Sequence, residues 1–334
     1  MNNYIKEHLN EQTFKNFYPC GSQPGKLYGT CKIHKQDNPL RPVVSMIRTP
    51  TYGLAKYLIR YIKPVMPDRY MLDSTETFLD NIRSFDFQPG DKLISFDVVS
   101  LFTNIPLMET IDIVADYVYS ESNSKQPPFK KLQFKRMLKL ATSGIFAYKN
   151  ILYRQIDGVS MGSPLAPILA NFFLCHLEYK LLDCDNAIKP RMYLRYVDDI
   201  FTVFSANTDH GPFFETLNAL PPNIKFTLEI GDNSLAFLDT QITIRDADFD
   251  TWVYRKPTHT GVILNNSALW PTQWKTGLLI CLLSRAWSIC SNYNVLHNEF
   301  EKLKTIFIDN GYSKDFFDSV LNRFLHKKFN PPPM

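Results

Sequence analysis

The hydrophobic and polar positions of the chain follow two periods, and the period changes from one segment to the next. Residues 24–45, 145–155 and 224–255 are rich in β-branched and aromatic residues interrupted by Gly, Pro and Asn, which predicts strands joined by turns. Apolar residues recur at helical spacing over 49–65 and in three stretches between 277 and 326. The pattern therefore predicts a mixed α+β protein with a helical C-terminal part.

Two short apolar segments carry acidic residues, the first at its end and the second at its centre. The predicted buried strand over residues 93–96 ends in Asp97. Residues 193–204 place aliphatic and aromatic residues on both sides of Asp198 and Asp199, which is the pattern of a β-hairpin with carboxylates at its tip. Taken alone, this pair of acids fits an ordinary solvated turn better than a functional site.

The strand and the hairpin would bring three carboxylates together if they lie side by side. Adjacent carboxylates raise each other's pKa unless a cation lies between them. Oxygen ligands without a nearby His or Cys favour Mg²⁺, with Mn²⁺ as a substitute, over zinc. Two such ions can activate a 3′ hydroxyl and stabilise the leaving oxygen of an in-line phosphoryl transfer. Asp97 and Asp198 are then the expected direct ligands, and Asp199 is the supporting acid.

A Gly-rich turn followed by a helix lies between the two acidic segments. Gly158 and Gly162 remove side chains where a flat ligand could approach the backbone. Ser163 and Pro164 are typical of a helix N-cap and first helical position, and the predicted helix continues through Leu177. The turn alone is a weak signal. The order of the three segments is a much more specific signal than any one of them: an acidic strand comes first, this turn and helix follow, and an acidic hairpin comes last.

These three segments resemble motifs A, B and C of reverse transcriptases. The sequences Phe-Asp-Val-Val-Ser-Leu-Phe-Thr-Asn-Ile-Pro, Gly-Val-Ser-Met-Gly-Ser-Pro-Leu-Ala-Pro and Tyr-Val-Asp-Asp are most similar to those of the Penelope-like retroelements, whose polymerases are similar to telomerase. Further similar segments begin at Leu27, Leu40, Phe226, Phe237 and Val253. The resemblance covers roughly residues 24 to 290.

The resemblance implies a right-hand polymerase of the α+β class, with a ferredoxin-like palm, mixed fingers and a helical thumb. It assigns residues 1–92 to the fingers with a lead-in, 93–250 to the palm with a fingers insertion near 107–155, and 251–334 to the thumb. The predicted order of strand, helix, acidic hairpin, helix and strand also matches a split β-α-β unit.

The resemblance also implies roles for nucleotide-binding residues. Lys32 and Arg41 take fingers positions that contact the phosphates of the incoming nucleotide. Gln155 takes a position under the templating base or the incoming sugar, and Gly162 is a further nucleotide-binding residue. Phe102 takes the position where an aromatic ring excludes a 2′ hydroxyl and so selects deoxynucleotides. On sequence alone, however, a Phe near a strand end is more often a core residue.

Other residues resemble parts that hold the primer and the product. Phe237, Leu238 and Asp239 resemble the primer grip that positions the 3′ end, although Asp239 alternatively has a structural role. Lys225 is a candidate proton donor to the pyrophosphate leaving group. Four cations of the predicted thumb are candidates for contacts with the duplex backbone: Lys275, Arg285, Lys302 and Lys304.

Charge is unevenly distributed along the chain, although the formal net charge is only +4. Residues 24–69 carry nine Lys and Arg against two Asp and Glu, whereas residues 205–251 carry two against eight. Four tyrosines are interleaved with the basic stretch: Tyr28, Tyr52, Tyr57 and Tyr61. Basic and aromatic residues in alternation favour a nucleic-acid partner over a merely solvated surface.

Composition limits the remaining possibilities. With 45% hydrophobic residues, the 334-residue chain can bury a large core. Its six cysteines form no Cys-x-x-Cys or Cys/His cluster, so neither a zinc site nor a disulfide framework is expected. No signal peptide or membrane-spanning segment is expected, and Arg285 interrupts the longest apolar stretch. A nuclear or cytoplasmic location is expected, and the resemblance implies the nucleus.

The resulting prediction is an RNA-directed DNA polymerase of a mobile retroelement. Its expected partners are an RNA template, a DNA primer or DNA target, and deoxynucleoside triphosphates. Two alternatives stay open. One is a catalytically inactive, nucleic-acid-binding remnant, against which the intact acidic triad argues. The other is an RNA-dependent RNA polymerase, against which Phe102 and the motif sequences argue.

Overall fold

The computed structural model describes residues 22–33, 37–183, 188–219, 223–245 and 248–330, together with residues 6 and 11. The strands in these ranges are β1 (Gly25–Cys31), β2 (Leu40–Ser45), β3 (Lys92–Val98), β4 (Ile145–Tyr148), β5 (Ile151–Arg154), β6 (Met192–Tyr196), β7 (Asp199–Phe204), β8 (Phe226–Ile230), β9 (Ser234–Phe237), β10 (Thr240–Arg245) and β11 (Asp248–Val253). The predicted α+β class is confirmed, and most of the predicted lead-in lies outside the described residues.

The α-helices of the same ranges lie between the strands and after them. They are α1 (Tyr52–Ile62), α2 (Thr75–Ser84), α3 (Leu101–Asn104), α4 (Leu107–Val118), α5 (Lys131–Thr142), α6 (Ala166–Leu182), α7 (Gly211–Ala219), α8 (Thr272–Ile289), α9 (Tyr293–Asp309) and α10 (Lys314–Phe329). None of these helices combines the length and the apolar character that crossing a bilayer requires.

The strands form three sheets. The central sheet has the order β6-β7-β3-β8, and each pair of neighbours in it is antiparallel. The N-terminal sheet has the order β2-β1-β4-β5, in which β1 and β4 are parallel. A small sheet, β11-β10-β9, precedes the C-terminal helices. In the central sheet, a strand, a helix, a hairpin, a helix and a strand follow one another in the chain, as the split β-α-β pattern predicts.

The central sheet is covered on both faces, which explains its nearly continuous apolar strands. Ile200 and Phe204 of β7 contribute to one hydrophobic cluster with helices α1 and α4 to α7. Phe201 and Val203 point the other way, into a second cluster with α2, the small sheet and the C-terminal helices. This alternation follows from the two-residue period of a strand. The acidic ends of β3 and β7 are therefore held by a sheet that is packed on both sides.

Helix boundaries differ from the sequence prediction at one important place. Helix α6 starts at Ala166, and Leu165 rather than Ser163 takes the N-cap position. The Ser163 hydroxyl instead accepts a hydrogen bond from the backbone N–H of Leu165, at 3.3 Å. By contrast, helix α2 has a side-chain cap, because the Ser74 hydroxyl accepts from the backbone N–H of Thr77 at 3.2 Å.

Within the predicted strand region 224–255, residues 235–244 form parts of two strands, β9 and β10. The chain turns after Phe237, where Leu238 has a φ of +55°. Thr240 then pairs back with Phe237, so that β9, β10 and β11 form a meander. The turn places Asp239 at the edge of the small sheet, next to helix α8.

Candidate active site

The acidic strand and the acidic hairpin are neighbours in the central sheet. Asp97 near the end of β3 lies directly opposite Asp199 at the start of β7. Tyr196 pairs with Asp199, so that Val197 and Asp198 form the two-residue turn of the hairpin. The backbone N–H of Val98 donates to the carbonyl oxygen of Asp198 at 3.1 Å. All three predicted catalytic acids are thus positioned at one end of the central sheet.

The environment of Asp199 makes its negative charge unfavourable. Partial burial raises the pKa of Asp199 to about 6, and the negative charges of Asp198 and Asp97 add to the effect. The positive charge of Lys256 acts in the opposite direction and lowers the pKa of Asp199. Lys256 follows the last strand of the small sheet and was not singled out from the sequence.

The chemistry of these residues fits a divalent cation such as Mg²⁺. Across the described ranges, no group of three or more His, Cys, Asp or Glu side chains is arranged so that it could hold a metal ion by itself. Proteins commonly hold Mg²⁺ through one or two carboxylates and leave the remaining positions to water and substrate phosphates. The carboxylates of Asp97 and Asp198, whose negative charges raise the pKa of Asp199, fit that kind of site. The ligand roles of Asp97, Asp198 and Asp199 stay predictions.

In metal-free protein, Asp199→Asn should stabilise the fold at pH 7.5 by roughly 1–2 kcal/mol, after allowance for solvent screening. The pKa of Asp199 is raised above its unfolded value, so the carboxylate costs stability once it is ionised above about pH 6. Below about pH 4 both states bind the proton, and the difference should vanish. Urea unfolding in EDTA at the two pH values measures it. An equal difference at both pH values would contradict the prediction.

The Gly-rich turn packs against helix α3 on one side and against strand β2 of the N-terminal sheet on the other. At Gly158, an added Cβ would lie 2.6 Å from the carbonyl oxygen of Thr103 and 2.8 Å from that of Phe102. At Gly162, an added Cβ would lie 2.3 Å from the carbonyl oxygen of Val44. Protein backbone, rather than open space for a ligand, therefore explains both glycines. The proposed nucleotide contact at Gly162 stays a prediction.

Two of the other predicted nucleotide-binding residues lie at one end of the β1-β2 ribbon. Arg41 pairs with Thr30, and the backbone N–H of Lys32 donates to Pro39 at 2.9 Å just beyond the last strand pair. Lys32 follows the last residue of β1, and Arg41 is the second residue of β2. The structure thus places both residues near the same end of the ribbon.

Phe102 and Gln155 meet at the Gly-rich turn. Phe102 is half-buried against the core, and its carbonyl oxygen accepts from the backbone N–H of Val159 at 2.7 Å. The side-chain amide of Gln155 donates to the Asp157 carbonyl oxygen at 2.9 Å and accepts from the Ser160 hydroxyl. Gln155 therefore shapes the turn beside Phe102, and contacts of either side chain with a nucleotide stay predictions.

The three predicted primer-grip residues have structural roles in the protein. Phe237 is buried and packs against Phe78 and Phe201, at centroid distances of 4.9 and 5.4 Å. Leu238 packs against the second core cluster. Asp239 accepts hydrogen bonds from the Thr75 hydroxyl and the Arg285 Nε, both at 2.6 Å. If this turn contacts a primer, its backbone is better placed to do so than the side chains of Phe237 and Asp239.

Several of the predicted functional cations form hydrogen bonds or ion pairs with other groups of the protein. Arg285 forms an ion pair with Asp239, and Lys304 forms one with Asp318 at 2.7 Å. Lys275 donates to the Asn266 carbonyl oxygen at 2.5 Å, and Lys225 donates to that of Asn218 at 3.1 Å. Each of these four cations therefore has a partner within the protein, and the nucleic-acid or pyrophosphate contacts proposed for them stay predictions.

A buried ion pair beneath the hairpin was not anticipated. Arg195 is fully buried and donates through Nε and Nη2 to the carboxylate of Glu178, which is itself buried. Burial lowers the pKa of Arg195, but the charge of Glu178 outweighs it and the pKa is raised. The sequence contained a signal: helix α6 is apolar on all sides, so a Glu within it requires a buried partner.

Solved structures with the same fold define the class of the protein. A telomerase from Candida albicans in complex with a fragment of telomeric RNA matches with a TM-score of 0.57 and 11% identity, over 95% of this chain and 61% of that one. A Sicinivirus 3Dpol RNA-dependent RNA polymerase matches with a TM-score of 0.56 and 10% identity, over 97% and 72%. An apo telomerase from Candida tropicalis matches with a TM-score of 0.52 and 14% identity, over 90% and 62%. The chain has the right-hand polymerase fold.

Sequence comparison then identifies the family. Residues 33–229 match the model of the reverse transcriptase (RNA-dependent DNA polymerase) family, and the chain belongs to it. Residues 262–322, from the segment between the small sheet and α8 into α10, match the model of an animal helix-turn-helix domain. No curated protein sequence matches the chain. The chain spans about three-fifths of the telomerase chains named above, 61% and 62% of their lengths.

Proposed function

We propose that this chain is an RNA-directed DNA polymerase that adds deoxynucleotides to a primer 3′ end. The observation that carries the proposal is the position of Asp97 opposite Asp199, with Asp198 in the adjoining turn, within a reverse transcriptase family chain. The motif sequences further support a mobile retroelement of the Penelope-like group as its source, and a nuclear site of action. An RNA template and a DNA primer or DNA target are the proposed partners.

The proposed catalytic residues are Asp97, Asp198 and Asp199. Asp97 and Asp198 would hold the metal ions directly, and Asp199 would add negative charge beside them. When bound, Mg²⁺ or Mn²⁺ would lower the pKa of the primer 3′ hydroxyl and stabilise the charge of the leaving pyrophosphate. The raised pKa of Asp199 supports this assignment, because three carboxylates at one sheet end are otherwise unfavourable.

The proposed nucleotide site lies between the N-terminal sheet and the central sheet. Lys32 and Arg41 would bind the triphosphate, since both are cations near the same end of the β1-β2 ribbon. Phe102 would select the deoxyribose, and Gln155 and Gly162 would line the nucleotide site from the Gly-rich turn. The proposed division into fingers (1–92), palm (93–250, with an insertion near 107–155) and thumb (251–334) follows the same reasoning.

Primer extension by the purified chain tests the proposed function. The substrates are a DNA primer on an RNA template, with Mg²⁺ and either deoxynucleotides or ribonucleotides. Extension with deoxynucleotides that stops in EDTA and resumes with excess Mg²⁺ is the expected result. Preferred incorporation of ribonucleotides would instead indicate an RNA-dependent RNA polymerase. Template binding without any extension would indicate an inactive, nucleic-acid-binding remnant.

Phe102→Ala should reduce discrimination against ribonucleotides by roughly 10- to 100-fold. The ring is the proposed barrier to a 2′ hydroxyl, and removing it opens space for that oxygen. The ratio of kcat/KM for a deoxynucleotide to that for its ribonucleotide measures the effect. Phe102→Tyr is the matched control, because it keeps the ring and should keep the ratio. An unchanged ratio in the Ala variant would assign Phe102 to the core only.

A further inference from the structure

The turn that carries Asp198 is conformationally strained. Val197, its first residue, has a φ of +55°, a region that β-branched residues rarely adopt. Such a conformation persists only where the surrounding structure holds it in place. The contacts made by the two carbonyl groups of this turn therefore indicate how Asp198 is positioned.

Both carbonyl oxygens of the turn are held by donors, one on each side of the hairpin. The carbonyl oxygen of Asp198 accepts from the backbone N–H of Val98 at 3.1 Å, which ties it to strand β3. The carbonyl oxygen of Val197 accepts from Nη1 of Arg195 at 3.0 Å. The side chain of Arg195 thus provides the second anchor of the turn, from within the core.

The guanidinium of Arg195 is itself held in one orientation. Nη1 also donates to the side-chain oxygen of Asn171 at 2.9 Å, and Nη2 donates to the Cys175 sulfur at 3.2 Å. Nε and Nη2 donate to the two carboxylate oxygens of Glu178. These three partners all belong to helix α6. The hydroxyl of Tyr193 donates at 3.1 Å to Oε1 of Glu178, the oxygen that also accepts from Arg195 Nε, and this bond fixes the carboxylate as well.

The backbone of Arg195 is fixed by a separate segment. Its N–H donates to the carbonyl oxygen of Tyr70 at 2.8 Å, and its carbonyl oxygen accepts from the N–H of Leu72 at 2.7 Å. A flexible side chain on a mobile strand could not hold a strained turn. Here the strand, the guanidinium and the carboxylate are each held independently, so the position of the Val197 carbonyl is determined by helix α6.

We infer that Arg195 is a positioning residue, which with Glu178 holds the Val197–Asp198 turn so that the Asp198 carboxylate faces Asp97 across the metal site. The inference rests on the proposed function and deepens it. Lysine cannot replace arginine in this role, because one ammonium cannot reproduce donors directed at Glu178, Asn171 and Val197 together. In Arg195→Lys, the ammonium is expected to stay with Glu178 and to release the turn.

The test compares Arg-to-Lys variants of two Arg–Glu pairs. Arg255 donates through both terminal nitrogens to Glu299, a buried residue of α9, and among the described residues no hydrogen bond or ion pair joins its side chain to the hairpin. Both Arg195→Lys and Arg255→Lys should lower the melting temperature. Only Arg195→Lys should weaken Mn²⁺ binding, measured by electron paramagnetic resonance, by roughly tenfold or more. It should also lower the kcat of extension while the KM for deoxynucleotide changes little.

A second substitution separates positioning from general stability. Glycine adopts a φ of +55° without strain, so Val197→Gly should restore Mn²⁺ binding and kcat to Arg195→Lys without restoring its melting temperature. If Arg195→Lys does not fold, Asn171→Ala takes its place and should weaken Mn²⁺ binding by a smaller factor. The inference is overturned if neither variant alters Mn²⁺ binding, if Arg255→Lys weakens it equally, or if Val197→Gly restores nothing.

The two proposals fail in different ways. Wild-type protein that binds Mn²⁺ through Asp198 but does not extend a primer would contradict the polymerase function, and Mn²⁺ binding would still test Arg195. If Asp198→Asn binds Mn²⁺ as tightly as the wild type does, the proposed metal site and the positioning role of Arg195 are both overturned.

Discussion

Asp97→Asn and Asp198→Asn are each expected to lower the primer-extension rate by roughly a thousandfold or more. Each substitution keeps the size and shape of the side chain and removes the negative charge that would hold a divalent cation. A loss of several kcal/mol of transition-state stabilisation gives a rate reduction of that size. Single-turnover extension with saturating deoxynucleotide measures it, because product release does not limit such an assay.

The control variants for this prediction are Asp80→Asn and Asp199→Asn. Asp80 lies on α2 with its side chain 75% exposed, and its substitution should leave the extension rate unchanged. Asp199→Asn should reduce the rate less than the other two substitutions, since its proposed role is supportive. Template affinities should stay near the wild-type value in all four variants, and none of the four should unfold at a lower temperature than the wild type. A rate near wild type in Asp97→Asn or Asp198→Asn would remove that residue from the proposed metal site.

The parts of the fold that depend on local sequence could be predicted well. The strand ending near Asp97 and the hairpin around Asp198 each follow from patterns within about ten residues. The alternation of Phe201 and Val203 with Ile200 and Phe204 likewise follows from strand periodicity. The family resemblance then related the separate segments, which local patterns cannot do.

The partners of charged residues could not be predicted, because they are distant in sequence. Arg285 and Arg195 look alike in the sequence, as single cations in apolar segments. In the structure Arg285 pairs with Asp239 of the small sheet, and Arg195 pairs with Glu178 of α6. A partly exposed ion pair and a fully buried one therefore have the same local sequence pattern. Only the packing of helix α6 or α8 against the sheets distinguishes them.

The glycines of the turn after β5 show the same limit. Their spacing indicated a close approach to the backbone, and that interpretation was correct. The approaching group was expected to be a ligand, whereas at Gly162 it is the carbonyl of Val44 in the N-terminal sheet. The backbone N–H of Val44 also donates to the carbonyl oxygen of Met161 at 2.8 Å. This contact joins the sheet that carries Arg41 to the turn that carries Gln155.

Gly162→Ala should therefore lower the free energy of unfolding by about 3 kcal/mol. The φ of Gly162 is +109°, which an L side chain rarely adopts, and the new Cβ would lie 2.3 Å from the Val44 carbonyl oxygen. The turn and β2 cannot easily move apart, because the backbone N–H of Val44 donates a hydrogen bond to the carbonyl oxygen of Met161 on the same turn. Urea unfolding followed by circular dichroism measures the loss.

Gly277→Ala is the matched control, because it makes the same chemical change where nothing opposes it. Gly277 lies inside helix α8, and no atom lies within 4 Å of the position that its Cβ would take. Alanine there should stabilise the protein by roughly 0.5–1 kcal/mol, since glycine loses more backbone entropy in a helix. The two substitutions should thus change stability in opposite directions. If Gly162→Ala were as stable as the wild type, the close contact between the turn and β2 would be contradicted, and a ligand would again be the better explanation for the glycine.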